Sequence, residues 1–432
     1  MKKSFLTFYL LLCLLPAMGQ TDTSTSAQKK RLDFAKTYFE LGTSYFPAFT
    51  GKQLSNGTLQ NFEHSASLNP YLNWGGFHFW GHAEFYVSFP LSNFNQMFNS
   101  NENTSFEMIH AVATGARFYP WVFREGKIRP YVGLSWSALG FKQIIKPEEN
   151  QPMLYKDFLL VPEAGLTYGY KSFALRLSAS YFPDNRWNYP INKTTFTDIN
   201  TPKFGFQAGL LYKFEASKNE DPKLQEKWNN YPRVSKLSTG ATRFGDFFVG
   251  IGPSVSFSLK KSSFNEKNFP YLPNPVSSEN FFDIAIGYQF NKANLFTSVS
   301  FRNPEFKANG YGTEQTIQKK SLVLEVNKFL TDYTGFAPYI GLNVAYDHFK
   351  YSEKTELGTR ESTSSKIEPG ITFGWDIVSG KTDEAWILRT NLRWYPLSFF
   401  EVEGQKFDFS QLEYNLIQLV FYPGRFIKNK KK

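Results

Sequence analysis

The sequence predicts an all-β protein, a transmembrane antiparallel β-barrel of about sixteen strands that come from two eight-strand repeats. Aromatic residues make up 18% of the 432 residues, yet the mean hydropathy is only −0.38. Apolar and polar residues alternate one by one, and the connections between these segments are alternately short and long. Past the N-terminus no apolar run reaches the roughly 18 residues of a membrane helix, which excludes a helical membrane protein.

The segment from Phe77 to Phe89 illustrates the alternation. Its odd positions are Phe, Phe, Gly, Ala, Phe, Val and Phe, and its even positions are largely polar. Successive side chains of a strand point to opposite sides, so the segment has one apolar and one polar face. Residues 173–181, 204–214 and 339–347 repeat the pattern. In a barrel the apolar face points outward into lipid, and closure leaves no open edge.

Such segments start near residues 37, 63, 78, 105, 128, 157, 171, 201, 246, 280, 293, 319, 336, 365, 384 and 408. Most span about ten to fifteen residues, enough for the ~9–11 with which a tilted strand crosses a bilayer. Short connections such as Gly75-Gly76 alternate with long ones such as 92–104 and 260–279. A membrane barrel with tight turns on one side and long loops on the other shows this alternation.

Residues 1–19 are predicted to be a cleavable secretory signal peptide, because a basic start precedes an apolar stretch at 5–15 and small residues end the segment. A short membrane anchor and a lipoprotein signal at Cys13 are the alternatives. The stretch is short for an anchor, and Leu12 stands where a lipoprotein signal needs a small residue. Cleavage after Gly19 leaves no cysteine and therefore no disulfide framework. With the strand pattern, this predicts the outer membrane of a bacterium.

Pairs of aromatic residues followed by proline recur where strands end. Tyr and Trp favour the boundary between water and lipid, and proline ends the hydrogen-bond ladder. The alternative is that these are ordinary core aromatics at strand ends. The residues predicted to lie at the membrane boundary are Tyr45, Tyr119, Trp121, Tyr181, Trp394, Tyr395 and Tyr422.

Three motifs recur in the same order in both halves of the chain: 163–170 aligns with 368–375, 130–134 with 338–342, and 175–176 with 388–389. This order predicts duplication of one eight-strand unit, with convergence of generic barrel patterns as the alternative. The predicted units are 37–215 and 243–423. A periplasmic linker at 216–242, rich in Lys, Glu, Asn and Pro, separates them, and a basic tail follows at 424–432.

Eight strands with tight turns on one side and long loops on the other resemble the small OmpA-like and OmpX-like outer-membrane barrels, over each half of the chain. Gln207 to Phe214 is similar to that family's assembly signal, which ends the chain in the family but ends only the first half here. The last strand, Asn415 to Tyr422, lacks the glycine of the signal. The resemblance implies contact with outer-membrane lipid and lipopolysaccharide, and insertion by the barrel-assembly machinery. It implies no specific activity.

The strand count fits two tandem eight-stranded barrels or one sixteen-stranded barrel. Side chains fill the interior of an eight-stranded barrel, whereas sixteen strands enclose a water channel. The predicted inward positions are mostly small, with a few large or charged residues among them, and the linker is longer than a periplasmic turn. Both features favour two narrow barrels, whereas single chains with two membrane barrels look rare.

Two ion pairs are predicted in the lumen, Glu163 with Arg176 and Glu368 with Arg389 in the matching positions of the second half. If the hairpin centre lies at Tyr170-Lys171, Arg176 is diagonal to Glu163 at about 7–8 Å between backbones. Leaving one buried charge unpaired costs several kcal/mol, so contact is expected in a narrow barrel. In a wide pore each charge would be hydrated.

No catalytic, cofactor-binding or metal site is predicted. The Ser379-Gly380-Lys381-Thr382 stretch lacks the glycine spacing of a phosphate loop, and no Gly-x-Ser-x-Gly frames a nucleophile. His78 and His82 would be about 13 Å apart on one strand, too far to share a metal ion. Lys2, Lys3, Lys428 and Lys430 to Lys432 contribute six of the ten net positive charges, and no nucleic-acid patch is present. The tail could touch anionic headgroups, although a solvated tail is the simpler interpretation.

The sequence thus predicts that the protein is no enzyme. Three function classes remain: a barrel with outward loops for envelope structure or surface binding, a passive porin-like channel for small solutes, and a component of a secretion or assembly machine. The sequence names neither a functional partner nor a solute.

Overall fold

The computed structural model describes residues 36–55, 58–64, 66–78, 81–91, 104–110, 112–121, 125–145, 154–183, 185–215, 244–259, 262–273, 277–330, 336–377 and 385–430. The predicted signal peptide at 1–19 and the predicted linker at 216–242 lie outside these ranges. The described residues form twenty-four strands and two helices. Neither helix is long and apolar enough to cross a membrane.

The described residues of the first half form thirteen strands: β1 (Lys36–Phe46), β2 (Phe49–Ser55), β3 (Thr58–His64), β4 (Ser67–His78), β5 (Ala83–Pro90), β6 (Thr104–His110), β7 (Ala113–Phe118), β8 (Ile128–Ile145), β9 (Leu154–Tyr170), β10 (Phe173–Tyr181), β11 (Arg186–Pro190), β12 (Phe196–Asn200) and β13 (Phe204–Glu215). Eight of them close a ring in the order β1, β4, β5, β7, β8, β9, β10, β13, here called barrel 1. Its first and last strands pair antiparallel, with Leu41 opposite Leu210. The hairpins β2–β3 and β11–β12 form a separate small sheet on the side of the long loops, the loop side.

The second half contains β14 (Gly245–Ser258), α1 (Ser263–Asn268), β15 (Phe281–Phe290), β16 (Leu295–Arg302), β17 (Glu305–Gly310), β18 (Thr313–Phe329), β19 (Phe336–Thr355), β20 (Gly358–Ile377), β21 (Trp386–Tyr395), β22 (Phe399–Val402), β23 (Gln405–Asp408), β24 (Gln411–Phe421) and α2 (Pro423–Lys430). The ring β14, β15, β16, β18, β19, β20, β21, β24 is barrel 2. The strands β18, β19 and β20 are 17 to 20 residues long and continue past the ring on the loop side. The prediction of two tandem eight-stranded barrels is confirmed, and a sixteen-stranded barrel is not what the strands form.

The outward faces of both barrels carry the apolar half of the sequence alternation. Leu41, Leu177 and Leu342 are 60%, 61% and 69% exposed, whereas their neighbours along the strand face inward. A soluble protein would have to cover two such walls with other elements. An uncovered apolar band around a closed barrel is suited to the hydrocarbon of a bilayer.

The boundary aromatics divide into two groups. Tyr45, Tyr181 and Trp394 are exposed on the outer wall, and Trp121 is exposed in the connection after β7. Tyr119, Tyr395 and Tyr422 are fully buried, which corrects their prediction as boundary residues. The cause is the strand alternation itself: when two aromatic residues are adjacent, one points outward and the next points into the barrel.

Inward glycines make room for inward aromatic rings. Tyr38 on β1 lies over its cross-strand partner Gly75, and a Cβ atom there would be 2.5 Å from the tyrosine oxygen. Tyr339 on β19 lies in the same way over Gly374 on β20. The small inward residues in the sequence therefore leave space for large inward side chains on the neighbouring strands. They do not line an open channel.

Candidate functional site

A web of ion pairs crosses the lumen of barrel 1. Arg176 on β10 donates from Nη1 to Oε2 of Glu40 on β1 (2.5 Å) and from Nη2 to Oε2 of Glu84 on β5 (2.8 Å). Arg117 on β7 donates from Nη1 to Oε1 of Glu84 (2.6 Å) and from Nε to Oε1 of Glu163 on β9 (2.7 Å). All five side chains are buried. The web therefore ties five of the eight strands together across the barrel axis.

Neutral side chains complete the coordination of the three carboxylates. Tyr119 donates to Oε2 of Glu84 at 2.7 Å, and Tyr38 donates to the other oxygen. Asn73 donates to Glu40 at 2.9 Å. Tyr86 donates to Glu163 at 3.1 Å. These donors matter because a buried charge is tolerated only when its remaining lone pairs also find partners.

The predicted Glu163–Arg176 pair is replaced by an indirect connection. The tight turn consists of Lys171 and Ser172, so Glu163 lies opposite Ser180 and Arg176 lies opposite Thr167. A hairpin centre one residue later than assumed moves each partner by two residues. Both side chains do face the lumen, as predicted, and they join the same web through Glu84 and Arg117.

Barrel 2 contains a second web with other residues. Arg393 on β21 donates to Oδ2 of Asp283 on β15 (2.6 Å) and to Glu325 on β18. Arg302 on β16 donates to Oε1 of Glu325 (3.2 Å) and to Glu413 on β24. All five of these residues are at most 2% exposed. This web also joins five strands.

A buried lysine extends the second web toward the loop side. Lys319 on β18 lies 3.1 Å from Oε1 of Glu413 and 3.1 Å from Oδ2 of Asp347 on β19. Its Nζ also donates to the side-chain oxygen of Gln411 at 3.0 Å. Lys319 is fully buried, so all of its charge is balanced within the barrel.

The predicted Glu368–Arg389 pair is not formed. Arg389 makes a bidentate pair with Asp376, directly opposite on β20, at 2.7 and 2.8 Å. Its guanidinium lies 3.9 Å from the centre of the Phe296 ring. Glu368 is buried eight residues away along β20, toward the loop side.

The strand pairing explains why the matched motifs misplace Glu368. Tyr131 lies opposite Gly165 in barrel 1, and Tyr339 lies opposite Gly374 in barrel 2. The position in barrel 2 that corresponds to Glu163 is therefore Thr372 and not Glu368. Glycine recurs every four residues in both motifs, so the sequence alignment can slip by four without losing its matches.

Aromatic cores close the loop side of both barrels. The cap of barrel 1 consists of Phe46, Phe49, Leu139, Phe141, Val161, Trp187, Tyr189 and Ile199. The cap of barrel 2 consists of Phe264, Phe269, Tyr271, Leu272, Phe306, Ile317, Phe349, Tyr351, Phe400, Val402, Phe407 and Phe409. Helix α1 and the β22–β23 hairpin pack into the second cap, and the side chain of Ser262 caps α1 by accepting from the Phe264 N–H. The described parts of the long connections are thus folded, and each barrel has a hydrophobic core on its loop side.

The two barrels touch along their walls and at their caps. Tyr414 and Trp375 belong to the outer wall of barrel 2, yet they are only 3% and 8% exposed. Tyr414 donates to the hydroxyl of Thr114 in barrel 1 at 3.1 Å, and the Trp375 ring lies 5.1 Å from that of Phe85. At the loop side, Tyr311 donates to the carbonyl of residue 190 at 3.1 Å. The described parts of the two caps are therefore in contact.

Sequence reasoning found the inward faces but missed most members of the two webs. Glu40, Glu84 and Arg117 occupy inward positions of alternating strands, so their sequence signal is a charged residue on the lumen face. Glu84 and Arg117 lie directly opposite each other on the neighbouring strands β5 and β7. Arg176 instead reaches Glu40 and Glu84 on strands that are not adjacent to β10, and pairing register alone does not specify such contacts. Within the described residues, no group of three or more His, Cys, Asp or Glu side chains could hold a metal ion.

No protein-family model matches the chain, and no curated protein matches it. The chain is similar to the solved structure of Neisserial surface protein A, with 15% identity over 42% of this chain and 99% of that chain and a TM-score of 0.30. It is also similar to Ail, the attachment invasion locus protein of Yersinia pestis, with 12% identity over the same shares and a TM-score of 0.28. OmpT, an outer membrane protein of Vibrio cholerae, shares 9% identity over 90% of this chain and 98% of its own, with a TM-score of 0.17.

The fold itself rests on the closed strand pairing, which is that of the small outer-membrane barrel unit present twice in tandem. The chain has the architecture of outer-membrane β-barrel proteins, and the matches indicate no specific activity.

Proposed function

We propose that the protein is a non-enzymatic outer-membrane protein in which two plugged barrels anchor one shared extracellular surface for envelope structure or partner binding. The observation that supports this most is the filling of both lumens by buried charges and aromatic rings. Opening a path for solutes would require breaking several buried ion pairs at once, each of which costs about 3–5 kcal/mol when one partner is removed. The structure thus favours an anchor over a channel.

The folded caps support the second part of the proposal. A barrel that serves only as a membrane-embedded scaffold would not need folded loops, but here the loop side has two aromatic cores. The caps also contact each other, since Lys193 of the β11–β12 connection lies 3.7 Å from Glu356 of the β19–β20 turn. A rigid surface loses less conformational entropy on binding a partner than mobile loops do.

The proposal includes the route to the membrane. The chain would be exported by its N-terminal signal, inserted by the barrel-assembly machinery, and surrounded by lipid and lipopolysaccharide. The long loops would then face the exterior and the tight turns the periplasm. Carbonate extraction of separated membranes tests the location, because recovery of the protein in the soluble periplasm would contradict it.

Conductance in planar bilayers tests the proposed anchor function. The full chain, refolded into lipid, is expected to give no sustained current, while a sixteen-stranded porin reconstituted in parallel gives large unitary steps. Swelling of liposomes in small sugars provides a second readout. Reproducible steps or swelling from the wild-type chain would show that solutes pass and would favour the porin-like alternative.

A further inference from the structure

The chain does not end at its last strand. Helix α2 follows β24 directly and lies across the tight-turn end of barrel 2, where it is fixed by Arg425. The Arg425 Nε donates to Oδ2 of Asp246 at 3.1 Å, and its Nη2 donates to the side-chain oxygen of Gln289 at 3.3 Å. The guanidinium also lies 3.6 Å from the centre of the Tyr422 ring. Arg425 is only 4% exposed, so its contacts set the rotation of the helix.

With this rotation, α2 presents apolar side chains away from the barrel. Phe426 and Ile427 are 40% and 57% exposed. The Phe426 ring lies 5.8 Å from Phe421, which in turn stacks on Trp386 at 4.2 Å on the outer wall. The apolar band of barrel 2 therefore continues onto the helix. In a membrane this places α2 at the level where hydrocarbon gives way to headgroups.

All charged side chains at this end of the chain are basic. Residues 414–432 contain Arg425, Lys428, Lys430, Lys431 and Lys432 and no acidic residue. Lys428 and Lys430 belong to α2, and Lys428 directly follows its two exposed apolar residues. Exposed apolar residues followed at once by lysines are typical of helices that lie in the membrane plane and attract anionic lipid.

We propose that α2 is an interfacial anchor that binds the headgroups of anionic phospholipids in the leaflet on the tight-turn side. Phe426 and Ile427 enter the edge of the hydrocarbon, and the positive charge of the residues that follow attracts lipid phosphates. The tail is then neither a free solvated segment nor a part of the barrel wall. This inference concerns the opposite end of the barrels from the caps and does not depend on the proposed function.

Lipid retention tests the proposal on the full chain. The protein is reconstituted in nanodiscs of equal parts phosphatidylglycerol and phosphatidylcholine, released gently, and its bound lipids are counted by native mass spectrometry. Wild type is expected to retain phosphatidylglycerol in excess. Lys428→Gln with Lys430→Gln should reduce that excess about thirtyfold, since each of the two basic residues contributes on the order of 1 kcal/mol near an anionic surface.

A matched control removes two lysines from the tight-turn side of barrel 1, Lys127→Gln with Lys171→Gln, and should leave the excess unchanged. A second variant, Phe426→Ser with Ile427→Ser, should also reduce retention although it changes no charge. Rising salt should lower the wild-type excess, which needs no variant to fold. The proposal is overturned if the wild type shows no excess, if the α2 lysine variant keeps it, or if the control loses as much.

Discussion

Barrel 1 and barrel 2 have the same kind of outer wall, but different side chains occupy their lumens. Each has an arginine on its seventh strand, Arg176 and Arg393, that reaches two carboxylates across the lumen. On the third and fourth strands the signs are reversed: barrel 1 has Glu84 then Arg117, and barrel 2 has Arg302 then Glu325. Both lumens thus hold arginines in contact with several carboxylates, whereas the strand that supplies each sign differs between the two barrels.

The buried ion pairs also extend further along the lumen in barrel 2 than in barrel 1. Barrel 1 has one central web, whereas barrel 2 has a central web, an extension through Lys319 and a separate Arg389–Asp376 pair nearer the tight turns. The longer strands of barrel 2 enclose more polar interior and so need more pairs. This difference predicts which barrel is harmed by the loss of a given charge.

The largest effect is expected from removing an arginine that serves two carboxylates. Arg176→Met leaves Glu40 and Glu84 without their shared cation and should cost about 3–5 kcal/mol of unfolding free energy. Arg389→Met removes the paired cation of Asp376 alone, and its cost in unfolding free energy should lie at the lower end of that range. Guanidinium unfolding in lipid vesicles measures both, and a larger loss for Arg389→Met would contradict the comparison.

The outer walls, in contrast, should respond alike. Leu177→Arg in barrel 1 and Leu342→Arg in barrel 2 should each cost about 2–4 kcal/mol if they lie near the bilayer midplane. Leu177→Met and Leu342→Met are the controls, because they keep the wall apolar. The same unfolding measurement applies. If either arginine variant is as stable as its methionine control, that wall does not face lipid.

A charge-reversal series distinguishes the direct partner of Glu163 from the indirect one. Glu163→Arg should destabilise barrel 1, and adding Arg117→Glu should recover more stability than adding Arg176→Glu. Coupling energies between contacting residues are about 0.5–3 kcal/mol, so the difference is measurable. Equal recovery by both partners would mean that the web acts as a diffuse field of charge without specific pairs.

The smallest effects are expected at the caps. Arg186 and Asp198 form a 2.6 Å pair in barrel 1, and this hydrogen bond lowers the pKa of Asp198. Both side chains are largely exposed, so Arg186→Ala should leave the melting temperature unchanged. Arg360 in barrel 2 contacts Glu353 and Glu403, each at 2.9 Å, and Arg360→Ala should have a small but measurable effect. A clear loss for Arg186→Ala alone would reverse this ranking.

The sequence predicts the wall of the molecule well because each wall position obeys a local rule. The alternation in Phe173–Tyr181 fixes its two faces, and the tight turn at Lys171 fixes its neighbour. The lumen obeys such a rule only where partners lie directly opposite on neighbouring strands, as Arg389 and Asp376 do. Whether Arg176 meets Glu163 or Glu84 depends on the relative heights of strands on opposite sides of the ring, and a one-residue change in a turn alters them.

Helix α2 is not among the predicted elements, although the sequence contains a signal for it. Pro423 at the first helical position has no N–H to leave unpaired, and proline is common there. The same proline also resembles the strand-ending prolines that follow other aromatic pairs. The choice between the two interpretations depends on Arg425 finding Asp246 on a strand nearly 180 residues earlier in the chain.

The glycines beneath the inward rings decide where this scaffold can be redesigned. An alanine at Gly75 would put its methyl group 2.5 Å from the oxygen of Tyr38 and 2.7 Å from the backbone oxygen of Phe85, so neither a ring flip nor a strand shift alone relieves it. A complete library of single substitutions should therefore tolerate changes at the exposed turns, yet reject even the smallest possible side chain at these glycines. Engineers who graft new loops onto either barrel can treat the glycine–tyrosine pairs as its invariant frame.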